Sequence, residues 1–342
     1  MHAKRRRREL VARVIDCQFH WHPPSFFEHQ DRSDYPRARR EGDGYLYEVS
    51  QHETWNFTRA FVDLEFELDQ VAEAGIDTVV CSPAIGGDIT DREVGEAVEL
   101  ATLLNSEVAK AQTSHSGRLY GLAVLPLQDT VAAVGVLNDS AALGLHGICM
   151  FSNINGRAIA GQEVWPVYER AQQLGLPIFL HPTRSFREDR VMAYDMERPL
   201  GYMFDTSFAA VSLMVGGVLD AFPDLKFVVP HLGGTLPYLA ARLETYRQGV
   251  LWGHLDKTIE SYLRRFYFDT VSATPGALAL AMQVGDPKRL LFATDHPYWS
   301  ASKGLEFVRT HVPRDLLEGV CHLHAEELLG LKRDSRAAAA GS

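Results

Sequence analysis

The feature that most restricts the fold is a rhythm. Eight short runs of β-branched and apolar residues alternate with amphipathic stretches along the 342-residue chain. They are RVIDCQFH, IDTVVCS, LYGLAVLPL, HGICMF, LPIFLH, KFVVPH, FYFDT and RLLFATD. Each is apolar almost throughout, not at alternate positions, which is the pattern of parallel strands buried on both faces. Between them the period changes to that of a helix. Phe61, Leu64, Leu68, Val71 and Ala72 recur at three- and four-residue steps before Gly75. EVGEAVELATLLNSEVAKA has the same period, and VWPVYERAQQLG ends on a glycine suited to a helix C-cap. SFAAVSLMVGGVLDAFPDL reads as one buried, nearly all-apolar helix. Eight alternations of strand and helix predict an α/β fold, a (β/α)8 TIM barrel, with an open doubly wound sheet as the alternative. No linker or repeat divides the chain. Residues 13–333 therefore read as one domain, residues 1–12 as a basic tail, and residues 334–342 as a second tail.

Composition narrows the partners. The chain carries 34 Lys plus Arg against 44 Asp plus Glu, a net charge of −10, and so lacks the basic footprint of a nucleic-acid binder. Cys17, Cys81, Cys149 and Cys321 are widely spaced with no C-x-x-C pair, which predicts free buried thiols and a cytoplasmic location. MHAKRRRREL is not followed by an apolar signal segment, and no window reaches the length of a membrane span.

The chemistry gathers at the carboxyl ends of the strand runs. The first ends in FHWH, with His20 and His22 one residue apart; in an extended strand their side chains share a face, opposite Trp21. A lone His-x-His is equally well a pair of half-buried histidines. The fifth run, however, ends in His181, the sixth in His231 and the eighth in Asp295. In a barrel these ends meet at one mouth, so four separate strand ends supply imidazole and carboxylate to one place. Such a donor set suits one divalent ion, Zn2+ first and Mn2+ second, with His20, His22, His181 and Asp295 as ligands. His231 then stands beside the metal as an acid, base or polarising donor, and Asp295 can carry a proton on its other oxygen.

Two connections exceed what a barrel needs, residues 23–55 after the first strand and residues 182–205 after the fifth. Long polar segments after strands lie on the face where active sites form, so both are expected to wall the substrate pocket. Arginines for a substrate's second acidic group are sought in Arg59, Arg184 and Arg242, and flat-ring contacts in Trp55 and Tyr298.

FHWHP, FLHPTR, GGVLDAFPDLKFVVPHLGGTLPYLAARLE and RLLFATDHPYW resemble the amidohydrolase-related family. Within it they look most like the branch of aminocarboxymuconate-semialdehyde, resorcylate and carboxyvanillate decarboxylases. The resemblance implies a distorted TIM barrel, a single divalent metal and a homodimer. By motif position His20, His22, His181 and Asp295 match the family's metal ligands, and His231 its catalytic histidine. Arg242 matches an arginine that reaches a neighbouring subunit's pocket. Two positions depart from the pattern: His296 follows Asp295 where several members have Tyr, and Leu232 replaces a glycine after the catalytic histidine.

Two reactions suit one such site. The first is non-oxidative decarboxylation of an aromatic or unsaturated carboxylic acid resembling a hydroxybenzoate. The second is hydrolysis of an amide, ester or lactone, with Asp295 as base and His231 polarising the carbonyl. A structural metal site would favour cysteine ligands, a serine hydrolase would need G-x-S-x-G, and a nucleotide cofactor would need a glycine-rich phosphate loop. None of these is present.

Overall fold

The computed structural model describes residues 11–83, 89–183, 194 and 196–331. Most of the predicted basic tail, the terminal tail and Arg184 lie outside them. All eight apolar runs form strands: β1 (Ile15–His20), β2 (Thr78–Ser82), β3 (Leu119–Ala123), β4 (Gly147–Phe151), β5 (Ile178–His181), β6 (Phe227–Val229), β7 (Tyr267–Asp269) and β8 (Leu290–Leu291). They pair in chain order, every neighbour parallel. The sheet then closes on itself. Cys17 N donates to Phe292 O at 2.9 Å, Asp295 N to Gln18 O at 2.8 Å and His20 N to His296 O at 2.8 Å. The ring rules out the open sheet. Strand β8 stops at Leu291, where the Phe292 amide turns to Val320 O at 2.9 Å and the Ala293 amide to Thr270 Oγ1 at 3.1 Å instead of to ladder carbonyls.

Helices cover the outside for legible local reasons. Asp63 caps helix Leu64–Ala74 by accepting from Phe66 N, and Gly75 ends it in the left-handed region at φ 92°. Leu68 and Val71 are its buried face. SFAAVSLMVGGVLDAFPDL is not one buried helix. Gly217, at φ 77°, separates helix Tyr202–Val215 from Val218–Ala221, and Phe208 is 60% exposed.

The first long connection is more ordered than a loop. It holds helix Pro24–His29 and a three-stranded antiparallel sheet, Arg37–Glu41, Gly44–Ser50 and Glu53–Phe57. Phe26, Phe27, Tyr45, Tyr47 and Phe57 pack edge-to-face and stacked into an apolar cluster that fixes this sheet over the barrel mouth. Gly44 is required there, since a Cβ would lie 2.0 Å from Phe57 O. No helix among the described residues is long and apolar enough to cross a membrane. All four cysteines are free and buried.

Candidate metal centre

His20 ends β1, His181 ends β5, and Asp295 follows β8. Their donor atoms all lie within 4.8 Å of one another, an arrangement that can hold a metal ion. Ligands on Zn2+ at ~2.0–2.1 Å stand about 3.4 Å apart, and the trio's separations, from 2.8 Å between His20 Nε2 and Asp295 Oδ1 to at most 4.8 Å, bracket that spacing.

Backbone carbonyls decide which nitrogens face inward. His20 Nδ1 is 3.0 Å from Ser82 O and His181 Nδ1 is 2.8 Å from Pro182 O. A carbonyl only accepts, so both Nδ1 atoms carry hydrogen, and in a neutral ring each Nε2 then presents a lone pair. His20 Nε2 lies 2.8 Å from Asp295 Oδ1. Burial pushes the His181 imidazole down to about 3, His20 adding to the effect, and it lowers His22 and His231 as well. His22 Nδ1 and His231 Nδ1 are buried without a hydrogen-bond partner among the described residues. A cation held by the trio answers the inward lone pairs of His20 and His181 beside the Asp295 carboxylate, so the residues fit the metal their sequence pattern implies. Burial would raise the Asp295 carboxyl, but His20, His231 and His181 outweigh it and hold it below the ordinary carboxylate range.

His22 is not part of the trio. Strand β1 stops at His20, and the His22 amide leaves the sheet to bond Phe61 O at 3.0 Å. The ring lies against Phe57, centroids 4.7 Å apart, with Nε2 3.4 Å from the Tyr298 hydroxyl. It borders the centre, outside the group of donor atoms that lie within 4.8 Å of one another. His296 is also beside it, not in it: stacked on Phe19 at 5.7 Å, with burial lowering it to about 4. Trp21 turns away as expected, donating to Val62 O at 3.0 Å.

Several positioning groups escaped the reading of the sequence. Gln18 donates to Asp295 Oδ1 at 3.2 Å, leaving Oδ2 as the oxygen available to the cavity. Asp269 accepts the His231 amide at 2.8 Å and so anchors the turn that carries the imidazole. Their signal was present in the two-residue period: Asp16, Gln18 and His20 share the inner face of β1 in an otherwise apolar run.

A cavity of about 690 Å3 opens above the centre, with His181, His231 and Asp295 on its lining. Trp55 and Tyr298, expected to meet a flat ring, do line it. Arg59 does not. It is held by Asp63 at 2.8 Å and lies over the Phe66 ring at 4.5 Å, because Asp63 caps the next helix and needs a counter-charge. Arg242 stands on exposed helix Leu236–Arg247, beside Tyr246 and off this cavity. Among the described residues, the arginine that lines the cavity is Arg198.

The family model described as "Amidohydrolase" matches residues 15–331. The 2-amino-3-carboxymuconate-6-semialdehyde decarboxylase of Dictyostelium discoideum is 28% identical over 207 residues, a match covering 59% of this chain and 58% of that protein. The gamma-resorcylate decarboxylase of a Polaromonas species is 28% identical over 248 residues, covering 66% of this chain and 74% of the relative. Among solved structures, the 5-carboxyvanillate decarboxylase of Novosphingobium aromaticivorans, complexed with manganese and 4-hydroxy-3-methoxy-5-nitrobenzoic acid, superposes with a TM-score of 0.82. It is 21% identical and covers 94% of this chain and 97% of its own, a likeness of fold. With a closed eight-stranded barrel, a histidine and aspartate cluster at its mouth and a family match across nearly the whole described chain, the protein belongs to the amidohydrolase family.

Proposed function

We propose that the protein is a metal-dependent, non-oxidative decarboxylase of an aromatic or unsaturated carboxylic acid of the hydroxybenzoate type. The observation that carries the reading is the pairing of the donor trio with an aromatic-walled cavity. Phe57, Phe61 and Trp55 line a space of about 690 Å3 together with His181 and Asp295. A flat ring fits between such walls. The names of the Dictyostelium and Polaromonas relatives support the same reaction class.

When bound, a divalent ion supplies a fixed positive charge that holds the acid and draws electron density from it. Imidazole with carboxylate favours Zn2+, and Mn2+, present in the Novosphingobium structure, is the other candidate. The rest falls to the chain. His20, His181 and Asp295 serve as ligands, with His22 bordering them. His231 is neutral at rest and Asp295 ionised, so both begin as proton acceptors. One of them takes a proton from the substrate's hydroxyl or from solvent and returns it to the ring carbon bearing the carboxylate. The bond to the carboxylate then breaks, its electron pair restores the aromatic ring, CO2 leaves, and hydrogen stands in its place.

A second copy completes the reading. Tyr238, Arg242 and Tyr246 form one stripe at four-residue steps, and Tyr238 is 82% exposed with Val250 and Leu251 nearby in sequence and bare. A homodimer through this face would carry Arg242 toward the partner's cavity. The four free, buried thiols fit a cytoplasmic setting.

The test is a panel of hydroxylated aromatic acids incubated with metal-loaded enzyme in D2O. Expected are one CO2 per substrate and deuterium at the vacated ring carbon. Water-derived ¹⁸O in the product of an ester, lactone or amide, with no CO2 from any acid, would replace this reading with the hydrolase. Metal analysis of the purified protein identifies the ion.

A further inference from the structure

We propose that Arg198 is a specificity residue at the cavity's outer end and that it selects aromatic substrates bearing a second anionic group over monoacids. The reaction assumed is the decarboxylation above; the direction of the preference comes from the cavity's own charges.

The cavity has two unlike ends. The inner end gathers His181, His231 and Asp295, where the first acid group is held. The outer end carries Arg198, on the turn Glu197–Gly201. Its guanidinium carbon sits 5.2 Å from the centroid of the Trp55 ring. Trp55 is itself fixed, in strand Glu53–Phe57 with Nε1 donating to Glu53 Oε1 at 2.8 Å. Stacking occupies the face of a guanidinium and leaves its edge donors free, and those donors match a carboxylate in the plane.

Arg198 has no carboxylate within ion-pair distance among the described residues, whereas Arg59 is committed to Asp63 and Arg92 to Glu96. A positive charge that lines a substrate cavity and has no counter-ion among the described residues is poised for a ligand anion. Tyr298 links the two ends. It lines the same cavity as Arg198, and its ring lies 5.8 Å from that of His20 at the inner end. A planar acid reaching past Tyr298 from the inner end meets Arg198. Asp91 also lines the cavity, so the outer end is not uniformly positive, and the preference must come from a directed contact. Because Arg198 is exposed, solvent limits the gain to about tenfold.

Calorimetric titration with isophthalate and with benzoate, both unreactive probes, tests this on the full-length enzyme. The wild type should bind isophthalate about tenfold more tightly. Arg198→Ala and Arg198→Gln should bring the ratio near one, and Arg198→Lys should keep an intermediate ratio by retaining charge without the fork. Benzoate binding by each variant reports that the cavity is still formed. A wild-type ratio near one, or a ratio unchanged in both Arg198→Ala and Arg198→Gln, overturns the proposal. So does a ratio that survives those changes and collapses in Arg242→Ala, because the selecting cation would then come from that helix. A ratio that depends on Arg198, in an enzyme that releases CO2 from no aromatic acid, upholds the subsite and removes the decarboxylase reading instead.

Discussion

His231, Leu232 and Asp295 all adopt left-handed backbone, with φ of 56°, 56° and 60°. Non-glycine residues there cost about 1–3 kcal/mol each, and they persist only where the surroundings insist. Here Asp269 holds the His231 amide at 2.8 Å and Gln18 O holds the Asp295 amide at 2.8 Å. The conformation also explains the glycine that the resemblance led one to expect at position 232: φ 56° suits glycine. Leu232 endures it because its side chain is 4% exposed. Leu232→Gly should therefore lose stability. Strain relief of about 1–2 kcal/mol is smaller than the roughly 2–5 kcal/mol lost on emptying a buried leucine site. A denaturant midpoint higher than wild type would show the opposite balance. The histidines divide by role at the same scale. His181→Ala should lose bound metal, read by elemental analysis. His231→Ala should retain the metal and lower turnover by about 10²–10⁴-fold.

Helix Leu64–Ala74 carries a costly element. Glu67 is 0% exposed, and neither carboxyl oxygen has a hydrogen-bond partner among the described residues. Burial pushes its acid up to about 10, with Asp63 adding to the effect. In the unfolded chain the same acid ionises near 4.5. Between pH 4.5 and 10 the unfolded state has therefore released a proton that the folded state keeps, and stability drains away as pH rises. Glu67→Met should stabilise the protein, by an amount that grows by up to about 1.4 kcal/mol per pH unit through that window. Melting curves of both proteins at pH 5 and pH 8 measure it; an unchanged difference between the two would mean that Glu67 is ionised in the fold. The long first connection is an element of another kind. RARRE, GYLYEVS and ETWNF carry charge and alternate weakly, so they read as loop, yet pairing between strands and the Phe–Tyr cluster made them a sheet.

The whole molecule acts as a clamp for its ligands. His20, His181 and Asp295 are separated by up to 275 residues in sequence, and only closure of β8 onto β1 brings the first and last together. A metal bound by the folded barrel and not by the open chain must stabilise it by mass action, about 2.7 kcal/mol at a hundred times the dissociation constant. For a chain of this size that is an expected rise of a few degrees in Tm. Chelation should reverse the rise, and His181→Ala should show none. A wild-type Tm indifferent to Zn2+ and Mn2+ would count against the centre.

Periodicity alone determined eight parallel strands alternating with helices, and the closure of β8 onto β1 decided for a barrel over an open sheet. Parallel strands buried on both faces leave unbroken apolar runs, and all eight were legible because inner and outer surfaces are both dry. The donors at those strand ends followed, since a parallel ring puts every carboxyl end at one rim. What the tertiary structure decided were distances across that rim. Which imidazoles approach Asp295, which arginine among many turns into the cavity, and that Gln18 and Asp269 hold the site in place all depend on closure. No local pattern records closure, because the residues that meet are set by the curvature of the sheet and not by their spacing along the chain.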